Sequence, residues 1–234
     1  MMLALTANFQ SPLLWGIMIG WIMTVVLHEF AHGIVAYWGG DYTIAERGGL
    51  TLNPLQYINP VNSIILPLIW LMLGGIPLPG GATYIRRDLL RSKAWNTAVS
   101  LAGPAVNLMV FLLLCVAIHP KVKWIDNTIP VAQWSTAQQF CAAMAFLQMF
   151  AVLLNLVPIP PMDGYKAISP YLPVPMQIWL SRPQVANTIY ILYFVALMQS
   201  VIISGFFIRI IIKTFVLIGI DPNDCFDAFD LMYK

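Results

Sequence analysis

Apolar residues in this chain fall in long uninterrupted blocks, and polar residues collect in the short gaps between them. The first block runs from Leu13 to Trp38. Ser11 and Pro12 precede it as an N-cap and a first-turn proline, and Gly39-Gly40 close it. Its length exceeds the roughly 20 residues a helix needs to cross a bilayer. A second block, about Thr97 to Ile118, and a third, about Thr136 to Val157, have the same character. The third stops at Pro158, Pro160 and Pro161, because proline removes a backbone donor and clashes with the preceding turn. A fourth spanning helix is expected in the charge-free run from Gln184 to Ile208. Arg209 and Lys213 then interrupt apolar sequence ending at Ile220, which reads as a fifth span or as a helix lying in the interface.

One block breaks the pattern. From Gly48 to Ile85 there is no charge, yet its most apolar part, 61–75, is short and carries Pro67 and Gly74-Gly75. It is too short for a spanning helix and too apolar for a free loop. It reads as a re-entrant or extended membrane-embedded segment, which lipid tolerates only where protein or a wet cavity covers the backbone.

Composition agrees with these blocks. Hydrophobic residues make up 59% of the 234 residues and charged residues 9%, against about 25% in soluble domains. So few charges cannot clothe a water-facing surface, so the chain belongs in the lipid bilayer. A net charge of +2 gives no reason to expect a nucleic-acid partner. Three scattered cysteines form no disulfide framework. No Lys or Arg precedes the first block, so it does not read as a removable signal peptide. The expected architecture is an all-α membrane protein of four to six transmembrane helices, with residues 1–234 forming a single polytopic domain.

The first block contains His28-Glu29-Phe30-Ala31-His32. Residues four apart share a helix face, so both imidazoles can reach one metal ion. Glu29 sits beside them, placed to take a proton from a water at that metal. This is the HExxH arrangement of zinc metalloproteases. The chain holds only three His and two Glu, and three of these five lie in this pentapeptide. An Asp, Lys or Arg at mid-helix in a bilayer costs at least about 2.5–3.5 kcal/mol on insertion scales and Glu should be comparable, so three titratable groups in one turn need a compensation that a metal supplies.

A catalytic zinc also needs a third protein ligand and an open position for water. The remaining histidine, His119, ends the second span beside Pro120 and reads as an interfacial residue. Asp41, Glu46, Asp88 and Asp126 fall in polar loops. Asp163 follows the broken end of the third span, where prolines unwind the chain and Gly164 relieves crowding. Its carboxylate could turn into the bundle, although such a stretch is more often a turn. Gly103-Pro104-Ala105-Val106-Asn107 lies in the second span. Helix packing explains it; beside a metal site, Asn107 could also hold substrate or an oxyanion.

Together the residues resemble the site-2 protease family of intramembrane zinc metalloproteases. The resemblance rests on HEFAH at 28–32, GPAVN at 103–107 and NLVPIPPMDG at 155–164, in that order, and covers roughly residues 15–170. It is nearest to the short members, without PDZ or CBS domains, found in bacteria and archaea. It implies that His28, His32 and Asp163 bind one zinc ion and that Glu29 is the general base. It implies that Asn107 and Asn155 help to hold the substrate, a transmembrane protein or peptide. The competing readings are a different HExxH membrane metallohydrolase such as a prenyl-protein protease, which would need a third ligand other than Asp163, a zinc-binding transporter and a non-proteolytic adaptor. A transporter should show repeated halves, which are not visible, and an inactive adaptor would more readily have lost Glu29.

If 61–75 re-enters without crossing, the first and third spans run in the same direction. His28 lies ten residues before Trp38, roughly 15 Å from that end. The side after the first span then carries Arg47, Arg86, Arg87, Arg91, Lys93, Lys166 and Arg182, and the other side Lys121 and Lys123. The positive-inside rule places the richer side in the cytoplasm, with the N-terminus outside.

Overall fold

Helix α1, Pro12–Gly39, begins on Pro12 and ends where Gly40 adopts a φ of 121°. The structure, a computed structural model, describes residues 10–58, 63 and 80–233. The expected re-entrant segment at 61–75 therefore lies outside the described residues, apart from Ser63. A short helix α2, Thr43–Glu46, follows the turn after α1. Helix α3, Lys93–Ile118, starts earlier than the apolar run because Ser92 caps it, accepting a hydrogen bond from the Trp95 amide. Helix α4, Thr136–Leu156, opens on a capping box in which Ser135 and Gln138 satisfy each other's backbone amides.

The chain leaves α1 at Gly39 and returns to that residue before entering α3. The Arg91 amide donates to the Gly39 carbonyl at 2.9 Å. Segment 40–92 thus begins and ends at one end of the bundle, and α3 runs antiparallel to α1. Contacts between α1 and α4 rise in step. Gly20 meets Phe140 and Thr24 meets Gln148, and just beyond the end of α4 His28 meets Asp163. These two helices are parallel, as the odd number of crossings between them requires.

Asp41, expected in a polar loop, is fully buried. Its carboxylate accepts from Thr43 Oγ1 at 2.5 Å, from the Arg86 amide at 2.8 Å and from Arg47 Nη2 at 3.4 Å. It thereby ties the exit of α1 to the approach to α3. A charge taken out of water needs such partners, and sequence position gave no sign that they would gather here.

Past α4 the proline-rich connector is more ordered than a plain linker. It forms α5, Asp163–Ile168, and α6, Val174–Leu180. The expected fourth span at 184–208 is corrected to two helices. α7, Pro183–Gln199, stops at Ser200, whose backbone is extended and whose side chain caps α8, Val201–Ile218, by accepting from the Ile203 amide. Absence of charge marked the region as apolar but could not show the break, which a single serine supplies. Helix α9, Pro222–Asp230, caps on Asp221 and keeps much of its acidic face exposed.

Among the described residues, four helices are long and apolar enough to cross a membrane: α1, α3, α4 and α8. In α4 56% of the apolar window is buried, against 17% in α8, so α4 is the central helix and α8 lies at the periphery. The core joins the first half of α1, the second half of α3, α4, α8 and α9. Phe146 of α4 meets Phe226 and Phe229 of α9 at ring-centroid distances of 5.1 and 5.0 Å. Large exposed apolar side chains such as Leu113, Val201, Ile202 and Leu217 are those of a surface facing lipid.

Candidate metal centre

Two helices, α1 and α5, bring His28, His32 and Asp163 together. His28 and His32 are one turn apart on α1, so their rings project from one face. Their Nε2 atoms are 3.0 Å apart. Asp163 Oδ2 lies 3.1 Å from His28 Nε2 and 3.2 Å from His32 Nε2. All three residues are buried.

Asp163 gets there through the break the prolines make. α4 ends at Leu156, Met162 is extended, and Asp163 is the first residue of α5. A Cβ on Gly164 would overlap the Leu156 and Val157 carbonyls, so only glycine lets α5 start directly against the end of α4. Gly103 does the equivalent on α3. A Cβ there would overlap Nε2 of both His28 and His32. Bare backbone on α3 thus leaves open the space that the two nitrogens face.

The outer nitrogens set the tautomers. His32 Nδ1–H donates to the Val99 carbonyl at 2.6 Å, and His28 Nδ1–H donates to Asn107 Oδ1 at 2.9 Å. Val99 O can only accept, so the His32 proton on that side is fixed. Both Nε2 atoms then present lone pairs, and the third atom is a carboxylate oxygen. Three acceptors converge with no donor among them, an arrangement that is repulsive without a cation. A tetrahedral zinc with bonds of about 2.0–2.1 Å sets its ligand atoms about 3.3 Å apart, close to the spacings found. The residues therefore fit the metal that the sequence implies.

Glu29 is buried beside the two histidines. It lines the same cavity of about 530 Å³ as His28 and Asp163. Segment 80–83 crosses α1 at this level, with Thr83 Oγ1 donating to the Glu29 carbonyl at 3.2 Å and Gly81 close to the Glu29 side chain. Asn155 lines the cavity, its Nδ2 donating to the Ala151 carbonyl at 3.0 Å. Asn107 also faces the cavity but is engaged with His28. Phe150, Phe194 and Phe229 make much of the rest of the wall apolar. His119 lies at the other end of α3, its Nε2–H donating to the Ile218 carbonyl at 3.1 Å and its Nδ1 accepting from the Lys121 amide.

Two contributors escaped sequence reasoning. The Val99 carbonyl is backbone and carries no side-chain signal. Lys166 Nζ lies 3.0 Å from Asp163 Oδ1, a pairing that i,i+3 spacing within a recognised helix start could have suggested.

A helical membrane bundle that sets an HExxH pair and a buried carboxylate on one cavity defines the class of membrane zinc metalloproteases. Known proteins agree with it. The chain is 37% identical over 201 residues to the Mycobacterium tuberculosis protein named "Putative zinc metalloprotease Rip2", covering 86% of this chain and 73% of that one. It is 42% identical over 153 residues to the protein of that name in Mycolicibacterium smegmatis, 65% of this chain and 56% of that one. It is 31% identical over 156 residues to "Putative zinc metalloprotease YwhC" of Bacillus subtilis, 65% of this chain and 67% of that one. No family model and no solved structure matches the chain. The chain belongs to this family of site-2 protease-type zinc metalloproteases and is an integral membrane protein.

Proposed function

We propose that this chain is an intramembrane zinc endopeptidase that hydrolyses peptide bonds of membrane proteins within or beside the bilayer. The observation that carries the reading is the convergence of His28 Nε2, His32 Nε2 and Asp163 Oδ2 within 3.2 Å of one another beside Glu29, at a cavity lined by helices long and apolar enough to cross a membrane. These three residues hold the metal. Bound zinc supplies a nucleophilic water at neutral pH and polarises the scissile carbonyl.

The chain's own groups do the rest. Glu29 takes a proton from the attacking water and delivers it to the leaving amine. Asn107 and Val99 hold the two imidazoles so that Nε2 faces inward. Asn155 sits where it can hydrogen-bond a substrate backbone that has left its helix, while the aromatic walls take apolar side chains. A transmembrane segment is the substrate chemistry that suits such walls. The orientation follows from charge. Arg47, Arg86, Arg87, Arg91 and Lys93 lie in or flank the segment that joins the Gly39 end of α1 to α3, whereas Lys121 and Lys123 follow α3. The positive-inside rule then puts the N-terminus outside and the metal nearer the cytoplasm. Family membership favours hydrolysis over the transporter and adaptor alternatives.

The test is Glu29→Gln. Purified in detergent with a transmembrane peptide, it should retain zinc and lose cleavage. Cleavage at the unsubstituted rate would sink the assignment.

A further inference from the structure

The two oxygens of Asp163 face different partners. Oδ2 meets the two imidazoles at 3.1 and 3.2 Å, and Oδ1 lies 3.0 Å from Lys166 Nζ. Asp163 and Lys166 are three residues apart at the start of α5, so one helical turn sets the pairing. The carboxylate is buried, whereas the lysine side chain is 41% exposed and lines the cavity. An ion pair with so exposed a lysine contributes little to stability. Its consequence is geometric.

A carboxylate can bind a metal through one oxygen or through both. A catalytic zinc with three protein ligands must keep one position free for water. A second carboxylate oxygen would bind beside the first, raise the coordination number to five and crowd that position. We propose that Lys166 is a positioning residue that holds Oδ1 away from the metal, so that Asp163 binds through Oδ2 alone and the water position stays open. This rests on Asp163 being a ligand. No other cation is within ion-pair distance of Asp163 among the described residues.

Cobalt(II) in place of zinc makes the idea visible, since four-coordinate cobalt absorbs visible light more strongly than five-coordinate cobalt. Protein purified in detergent is loaded with cobalt as the unsubstituted chain, Lys166→Met, Lys166→Arg and Asp163→Asn. Lys166→Met keeps a stem of similar length without the charge. It should bind cobalt fully, show a weaker visible band and cleave a transmembrane peptide about 10–100-fold more slowly, the range for losing a ligand's outer partner. Lys166→Arg should restore the strong band and most of the activity. An unchanged band and rate in Lys166→Met would overturn the proposal. So would loss of cobalt from that variant, because the lysine would then hold the carboxylate in place rather than limit how it binds. Asp163→Asn separates the layers. If it matches the unsubstituted chain in affinity and spectrum, Asp163 is no ligand and the site reading itself fails. If it differs while Lys166→Met does not, only the positioning role is lost.

Discussion

Gly103 of α3 lies so close to His28 that a Cβ would occupy the space of its Nε2 atom. His32 Nε2 stands equally close to the same point. Gly103→Ala should therefore push the rings apart rather than merely tighten the helix contact. Overpacking costs about 1–3 kcal/mol in well-packed interiors, and here the groups displaced are those that face the metal. Zinc per chain and peptide cleavage should both fall. Gly205→Ala on α8 has nothing within 4 Å of the added atom and should change neither. Equal behaviour of the two variants would show that the close approach has no consequence.

Asp163→Asn keeps the shape of the side chain and removes its charge. Zinc occupancy should drop and cleavage should fall by orders of magnitude. His119→Ala should leave both intact, because His119 bonds to the Ile218 carbonyl at the far end of α3. Metal analysis of the two purified variants checks the contrast, and the reverse pattern would mean a different third ligand.

Asn107 acts on the metal through His28. Asn107→Ala removes the acceptor for the Nδ1 proton and frees the ring to turn. Metal affinity should weaken about 10–100-fold, as for other outer partners of metal-binding histidines. Asn107→Asp retains an acceptor oxygen at that place and should stay near the unsubstituted affinity. Competition with a chelator of known strength measures both. Equal loss in the two variants would assign Asn107 to helix packing instead.

The return of the chain from Arg91 to Gly39 predicts sidedness. With Cys115, Cys141 and Cys225 replaced by serine, cysteines placed at Ser92 and at Lys121 should be labelled by an impermeant thiol reagent from opposite sides. The Ser92 probe should react from the cytoplasm. Labelling of both probes from one side would mean that α3 does not cross the membrane.

Local spacing in the sequence determined the first half of the site. Residues four apart share a helix face whatever else the chain does, so HEFAH placed His28, Glu29 and His32 before any contact was known. The spans of α1, α3 and α4 were equally legible, since length, charge content and capping residues act within a few turns. Prolines after Leu156 marked where a helix must end, and the family resemblance supplied the meaning of Asp163. Tertiary structure alone decided the rest. His32 meets the Val99 carbonyl across 67 positions of chain and His28 meets Asp163 across 135. No periodicity encodes such distances. The burial of Asp41 needed the Arg86 amide, 45 positions away, and the inward turn of both Nε2 atoms needed acceptors on α3. Ring orientation and carboxylate geometry depend on which backbone and side-chain oxygens stand opposite, and helix packing sets that, not residue order.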